Sequence, residues 1–570
     1  MKRRFATAPR LLGLTIGFLA LAVAAQLVQA QDTGGVVWVD GVTDLWFQNI
    51  DPEFNANVMV DFYPVAGAPN PANPPPPFTE MVPNILQPGE TFSFFSPHPR
   101  LGNLAQYAVI ARSNRHTAGV NRTREPITGA AVMYNNVQVS PSIIVPLVTL
   151  AFTSPTDVTS IVSVQSTEKN PPLPINATLH SKTYFQGLVN NGTLFQYQER
   201  KNAPIPIQES VRDTGGTWLI DLTDPRFATP IAAELTPTPP PGLVPVRQYG
   251  TTGWMRIAPA AAPPPQPGVP TPTAPRQVGA ESFLNLRRVN TAVSGFAGVP
   301  EDHKAARLFM PLFRANFAGL TGYAIVNPGP RDLRIRATYF GSPQAPNANC
   351  RDRTFTHFAN DGSDTIAIPS NEHIVLYHLP GDPPPIAPGS VGNPKLPDGC
   401  FGSAVVEVVD NGGDPGAGIV AMVNDFAVDG TGIPRTADAY MPTRLVDANA
   451  RVAVPMLEHD ATRPTGQFLP AKHSSLQVMN VDPSGRTAQV AVTFFPSPGQ
   501  PVTVNASIPP NRAHTFWTGA VPTISAMTNF NGSAIVQGDA KLAVIVTVAE
   551  FSRDSTAYSG IGQPTATPMP

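Results

Sequence analysis

Apolar and polar residues alternate with a period of two along short stretches of this chain, and the stretches recur in a fixed order. Leu333, Ile335, Ala337 and Tyr339 point one way while Arg334, Arg336 and Thr338 point the other. Val58, Val60 and Phe62 repeat the pattern, as do Ile175, Ala177 and Leu179, and Val490, Val492 and Phe494. Successive side chains of a strand leave opposite faces, so this period predicts half-buried antiparallel strands. Before each lies a strand that closes on a polar turn. Leu45 to Pro52 and Leu476 to Pro483 are near copies; Tyr323 to Pro328 and Ile161 to Ser166 are looser ones. The short Asn/Asp/Pro/Gly link between the two strands predicts a hairpin.

A turn and an aromatic-rich strand follow. Leu86 to Phe92 matches Ile368 to Ile374 and Ile508 to His514, with Gly215 to Trp218 in that place in the second copy. Pro and Gly or Asn suit turn positions that need a fixed or positive φ. The next strand reads Phe401-Gly402-Ser403-Ala404 beside Phe530-Asn531-Gly532-Ser533-Ala534, with Gln106 to Ile110 and Thr252 to Met255 as weaker copies. Another is visible at 418–423 and 542–548. The joints match as well: Ile144 to Val148, Leu308 to Phe313 and Val452 to Leu457 each carry a proline, at Pro146, Pro311 and Pro455. Self-similarity of this kind marks a string of like domains, and strands this short and dense predict an all-β chain of β-sandwiches. The limits drawn are a signal segment at 1–30, repeats at 33–137, 138–300, 301–447 and 448–560, and a Pro/Thr tail at 561–570. Pro-rich stretches at 236–242, 259–275, Pro74 to Pro77 and Pro383 to Pro385 read as extended insertions.

These phrases resemble the tandem immunoglobulin-like β-sandwich repeats of secreted and cell-surface bacterial proteins. The fourth repeat carries all of them: Val478-Met479-Asn480, Thr493-Phe494-Phe495, Ile508-Pro509-Pro510 and Phe530 to Ala534. The third carries most, with Thr338-Tyr339-Phe340 and Phe401 to Ala404, and the first two depart most at Ile-Pro-Pro. The resemblance implies about four immunoglobulin-like domains in an exported structural, adhesive or binding protein. It brings no catalytic residue with it.

Composition narrows the setting. Lys2, Arg3, Arg4 and Arg10 precede an apolar run from Leu11 to Ala25, and Val28-Gln29-Ala30 offers a cleavage site. This is the pattern of a secretory signal, with a retained anchor as the alternative. No later stretch has the length of a membrane span, so the mature chain is expected to be secreted or held at the cell surface. The formal charge is −2, which steers the chain toward neither nucleic acid nor an anionic membrane. Charged residues make up 14% against a usual share of about 25%, and 67 prolines leave little room for long helices. Cys350 and Cys400 are the two cysteines. In an oxidising compartment they predict a disulfide worth about 4 kcal/mol in the chain-entropy picture.

Catalytic chemistry finds no motif: no nucleophile elbow, phosphate loop or zinc helix is spelled. Glu458-His459-Asp460 gathers three polar groups, read as a solvated loop between repeats with a metal or acid–base cluster as the alternative. His373 and His378, five apart, are expected on opposite faces of a strand. Asn360 to Asp364 and Asp410 to Asp414 supply hard oxygens of the kind calcium takes, though turns use the same residues. Trp38, Trp46, Trp218, Trp254 and Trp517 either fill sandwich cores or offer rings for sugars to stack on. The expectation is a non-enzymatic structural or adhesive protein, a rod or a compact chain of sandwiches. Its expected partners are surface or matrix components, polysaccharide or other copies of itself, and no cofactor is expected. The alternatives are a carbohydrate-binding surface protein and a secreted hydrolase without a recognisable motif.

Overall fold

The computed structural model describes residues 42–562. Stretches left out are 65–75, 95–99, 101–106, 125–130, 151–157, 167–172, 190–194, 212–216, 223–242, 261–276, 287–292, 379–391, 429–433 and 463–471, with a few shorter ones. The signal segment, Trp38, residues 236–242 and Pro383 to Pro385 therefore lie outside the described residues. Among the described residues no helix is long and apolar enough to cross a membrane. The regular structure among the described residues is almost entirely antiparallel strand.

The third unit displays the plan. Its strands run Arg307–Ala315, Leu320–Asn327, Leu333–Gly341, Glu372–Tyr377, Cys400–Asp410, Val420–Val428 and Pro434–Tyr440, here numbered first to seventh. The third, fifth and first lie side by side in one layer, and the fourth, second, sixth and seventh in the other. The alternating strand behaves as its pattern demands: Leu333, Ile335, Ala337 and Tyr339 are buried, and Arg334 is exposed. They meet Tyr323, Ile325, Leu376, Ala421 and Val423 from the opposite layer. Burying each such apolar side chain contributes about 1.5–3 kcal/mol.

The same order recurs. In the fourth unit the fifth and sixth strands fuse into one 21-residue strand, Phe530–Glu550. Its first half pairs with Ala488–Ser497 and Asn449–His459, its second half with Lys472–Asn480 and Asp554–Ser559. The second unit repeats the order from Ile143–Leu150 to Val293–Ala297. Its third and fifth strands, Leu173–Val189 and Leu243–Pro259, are each 17 residues long and extend as a paired arm. Among the described residues the first unit shows the second to seventh strands, from Val42–Asn49 to Ala131–Asn135. The last strand reaches two residues beyond the expected limit of 560, with Ile561–Gly562 pairing to Val452 and Ala453.

This order corrects one expectation. In an immunoglobulin sandwich the first strand pairs with the second, and the third with the sixth. Here the first pairs with the fifth, and the second lies between the fourth and sixth. First and second strands meet at a single residue pair, Ala315 with Leu320 in the third unit and Leu150 with Thr159 in the second. The chain crosses between layers at that corner. A period of two names the face of each side chain and says nothing about which strand lies alongside.

The four units do not form a rod. Their seventh strands, Ala131–Asn135, Val293–Ala297, Pro434–Tyr440 and Asp554–Ser559, contact one another in a closed cycle: first with second, second with third, third with fourth, fourth with first. The first and third also touch across the middle. The molecule is a compact ring of sandwiches around a bundle of four closing strands.

Candidate functional site: the joints between repeats

Each joint begins with a buried asparagine at the end of the second strand. Asn49, Asn327 and Asn480 are all fully buried. Asn480 donates from Nδ2 to Arg486 O at 2.7 Å and Ile508 O at 2.9 Å, and its Oδ1 accepts Asp482 N. Asn327 donates to Arg331 O, Ile368 O and Pro369 O and accepts Gly329 N. Asn49 donates to Phe54 O and Leu86 O and accepts Asp51 N. One amide thus ties the hairpin link to the turn before the fourth strand and leaves no buried polar atom of its own unpaired. At that register the second unit has Ser166, opposite Val278 of the sixth strand.

The tethered turn exposes a carbonyl to the neighbouring unit. Its third residue has positive φ in each case: Gly89 at 82°, Asn371 at 54°, Asn511 at 58°. Glycine and asparagine are the residues that take this conformation readily. The carbonyl of that residue is the acceptor at the joint. Ser403 Oγ donates to Asn511 O at 2.7 Å, Ser533 Oγ to Gly89 O at 3.2 Å, and Trp254 Nε1 to Asn371 O at 3.3 Å. Second unit grips third, third grips fourth, and fourth grips first, each by the same position on the fifth strand.

The donor is placed by its neighbours. The glycine before it, Gly253, Gly402 or Gly532, lies so close to the third strand that a Cβ would meet His180 O, Phe340 O or Phe495 O at 2.0–2.4 Å. Opposite it the first strand carries a bulge at Pro146, Pro311 or Pro455, where two residues face one. A tyrosine of the seventh strand fixes that bulge. Tyr440 OH donates to Leu312 O at 2.6 Å, and Tyr558 OH to Met456 O at 2.5 Å, while Leu312 N and Met456 N donate back. Phe296 occupies this place in the second unit.

Apolar caps complete each joint. Ala324, Met422 and Ala439 of the third unit join the core of the second. Ile545 and Ala557 of the fourth join the core of the third, and Trp46 and Val120 of the first join the core of the fourth. Charges sit at the margins. Glu372 takes Lys182 at 2.7 Å and Lys201 at 2.8 Å across the joint from second to third unit. Burial raises the pKa of Glu372, and the two ammonium groups outweigh it and hold the carboxyl below its usual range. Arg122 of the first unit meets Glu458 of the fourth at 2.7 Å, both side chains buried. Arg512 donates to Gly341 O at 2.6 Å and to Asp352 O, and Gln344 brackets the backbone of Thr515.

The joint from second to third unit also holds two neutral histidines. His373 Nε2 lies 2.9 Å from Thr252 Oγ1, and burial, then Lys182, pushes its pKa down to about 3. His180 stacks on Trp254 at 4.2 Å, and burial, then Arg256 and Lys201, pushes it down to about 4. His378, on the other side of the strand, is sealed in the third core. Its Nδ1 lies 2.5 Å from Thr321 Oγ1 and its Nε2 2.9 Å from Tyr339 OH, which reaches His357 Nδ1 at 3.1 Å. Burial holds His378 far below and Tyr339 far above their ordinary values, so both stay neutral.

The sequence candidates fall as follows. Trp46, Trp218 and Trp254 are buried and present no ring face to solvent, and Trp517 is half-buried, edge-on to His473 at 5.8 Å. Cys350 and Cys400 form a disulfide in the third core. Glu458-His459-Asp460 is not a solvated loop. Glu458 and His459 end a strand and are buried, the first because Arg122 covers it, the second because Thr518 and Ser525 surround its ring. The oxygens of Asp361, Asp410, Asn411 and Asp414 accept backbone amides two residues on, and Arg336 lies on Asp364. Among the described residues no group of three His, Cys, Asp or Glu could hold a metal ion. The joint itself was missed as a site, although its asparagine and Gly-Ser phrases were visible as repeats.

No family model matches the chain, and no curated protein does. A solved structure of the tetra-tandem repeat in the extending region of a large adhesion protein is weakly similar. It is 12% identical over 94% of this chain and 98% of that one, with a TM-score of 0.09, too low to carry an argument.

Proposed function

We propose that this chain is an exported, non-enzymatic building block of a bacterial cell surface or extracellular matrix, with a structural or adhesive role. The observation that carries the reading is the recurring joint. The same asparagine, positive-φ carbonyl and fifth-strand donor lock second to third, third to fourth and fourth to first. At these joints the polar side chains bond to backbone and to neighbouring units, which supports a structural role. Such a block would be stiff, since a ring locked at three joints and closed by its seventh strands cannot bend as a string of linked domains does. The disulfide supports an oxidising location. The carbohydrate alternative draws no support from Trp46, Trp218 and Trp254, because their rings are enclosed.

The test is a pull-down of residues 31–570 on intact cells, cell-wall polysaccharide and itself. Binding to surface components or to itself, without sugar competition, is expected. Saturable binding that free sugar abolishes, or turnover of a polysaccharide, would contradict the reading.

A further inference from the structure

A sheet that ends in an unpaired strand invites another strand, and proteins blunt such edges with short strands, charges, proline or cover. Three units of this molecule do so on the strand beside the third. In the first unit the edge is the four-residue Phe78–Met81, carrying Glu80 paired to Arg100. In the second, Phe195–Lys201 carries Glu199, Arg200 and Lys201, and Ile205–Val211 carries Pro206 and Glu209. In the third the edge is broken into Thr354–Thr356 and Ile366–Ile368. The opposite edges, formed by fourth strands, are engaged at two joints: His373 meets Thr252, and Gln344 brackets Thr515.

The fourth unit is the exception. Val502–Ile508 is seven residues long, regular, free of charge and proline, and among the described residues pairs on one side only, with Ala488–Phe494. Thr503, Asn505 and Ser507 are exposed and alternate with half-buried Val502, Val504 and Ala506.

We propose that Val502–Ile508 is a docking edge for the same strand of a second copy, paired antiparallel about a two-fold axis at Asn505. The strand is complementary to itself in that register. Asn505 faces Asn505, Thr503 faces Ser507, Val504 faces Ala506 and Val502 faces Ile508. Polar meets polar on one face, apolar meets apolar on the other, and no like charges oppose, which is the pairing that stabilises antiparallel strands. Thr503 and Ser507 already bond across to Thr493 at 3.0 Å and Gln489 at 2.8 Å, so the polar ladder would continue through the axis. An isologous contact of this kind closes as a dimer and does not propagate into a fibre. One strand pair alone falls short of the roughly 1,000 Å² typical of a stable interface, so the dimer is reversible. The inference rests on the building-block reading only for its purpose, since the edge stands whatever the block is for.

The experiment is sedimentation of residues 31–570 across a hundredfold concentration range, with Asn505→Lys, Asn505→Cys and, as controls, Thr354→Lys and Thr354→Cys. A monomer–dimer equilibrium is expected for the parent and T354K. N505K should raise the half-dimer concentration at least tenfold, with an unchanged melting curve showing that it folds. Under mild oxidation N505C should give a covalent dimer and T354C should not. A parent that stays monomeric throughout, or a dimer that N505K leaves intact, would overturn the proposal. Neither result would touch the cell-surface reading, which the pull-down decides.

Discussion

The joints from second to third unit and from third to fourth use one geometry and two chemistries. In both, a donor on the fifth strand reaches the carbonyl of a positive-φ asparagine, Asn371 or Asn511. At the third-to-fourth joint the donor is the hydroxyl of Ser403, and arginine and glutamine side chains supply the rest. At the second-to-third joint it is the indole of Trp254, stacked on His180, beside His373 and the Lys182–Glu372–Lys201 cluster. The difference teaches that backbone placement defines the joint. The bulged proline, the close-set glycine and the tethered turn bring donor and acceptor together, and the donor side chain is free to vary.

The comparison can be broken most sharply at Trp254. Truncating a buried aromatic ring costs about 3–5 kcal/mol, so Trp254→Ala should lower the thermal midpoint strongly, whereas Ser403→Ala should cost only about 1 kcal/mol. Calorimetry of the two variants reads the ratio. Similar losses would mean that the hydroxyl carries as much as the ring.

The turn tether comes next. Asn480→Ala strands two carbonyls and an amide, at about 1–3 kcal/mol for each buried group left unpaired. A denaturant titration reads the loss, and a cost well under about 1 kcal/mol would show that the tether carries little.

Acid distinguishes the joints without mutation. The pKa values of His180 and His373 are lowered to about 4 and about 3, against an unfolded value of about 6.5. Their neutral forms favour the folded joint, so this stability is intact above pH 6.5 and is lost as pH falls toward 4. For His373, the more buried of the two, the slope is about 1.4 kcal/mol per pH unit. His373→Gln should flatten the fall in melting temperature between pH 6.5 and 4.5. An unchanged slope would place the acid sensitivity elsewhere, for instance at His378.

The smallest expected effect concerns the turn itself. Asn511→Gly keeps a residue that takes positive φ and should change stability by a few tenths of a kcal/mol, whereas Asn511→Ala should cost about 1 kcal/mol. Chemical denaturation separates the two.

Much of a single unit was legible in the chain. The period of two in Leu333 to Tyr339 and Val490 to Phe494 named the buried faces, and the Pro-Pro-Asn and Pro-Gly turns marked strand ends. The joint prolines 146, 311 and 455 were read as landmarks, and they prove to be bulges. What the sequence withheld was partnership. Nothing in Trp46 says that it fills the core of a unit some four hundred residues later in the chain, and nothing in Glu458 announces Arg122. Strand order was withheld for the same reason, because alternation records which face is apolar and not which neighbour lies alongside. Asn480 could be read as a turn residue, but its three simultaneous bonds exist only once Ile508 and Arg486 are brought to it.

Small-angle scattering of residues 31–570 tests the closed ring most directly. A compact chain of this length has a radius of gyration of about 24 Å, and four such units end to end would give about 40 Å. The ring predicts a value close to the first with a single-peaked distance distribution. A value near the second, with a long-tailed distribution, would show that fourth and first units do not meet and would contradict the account.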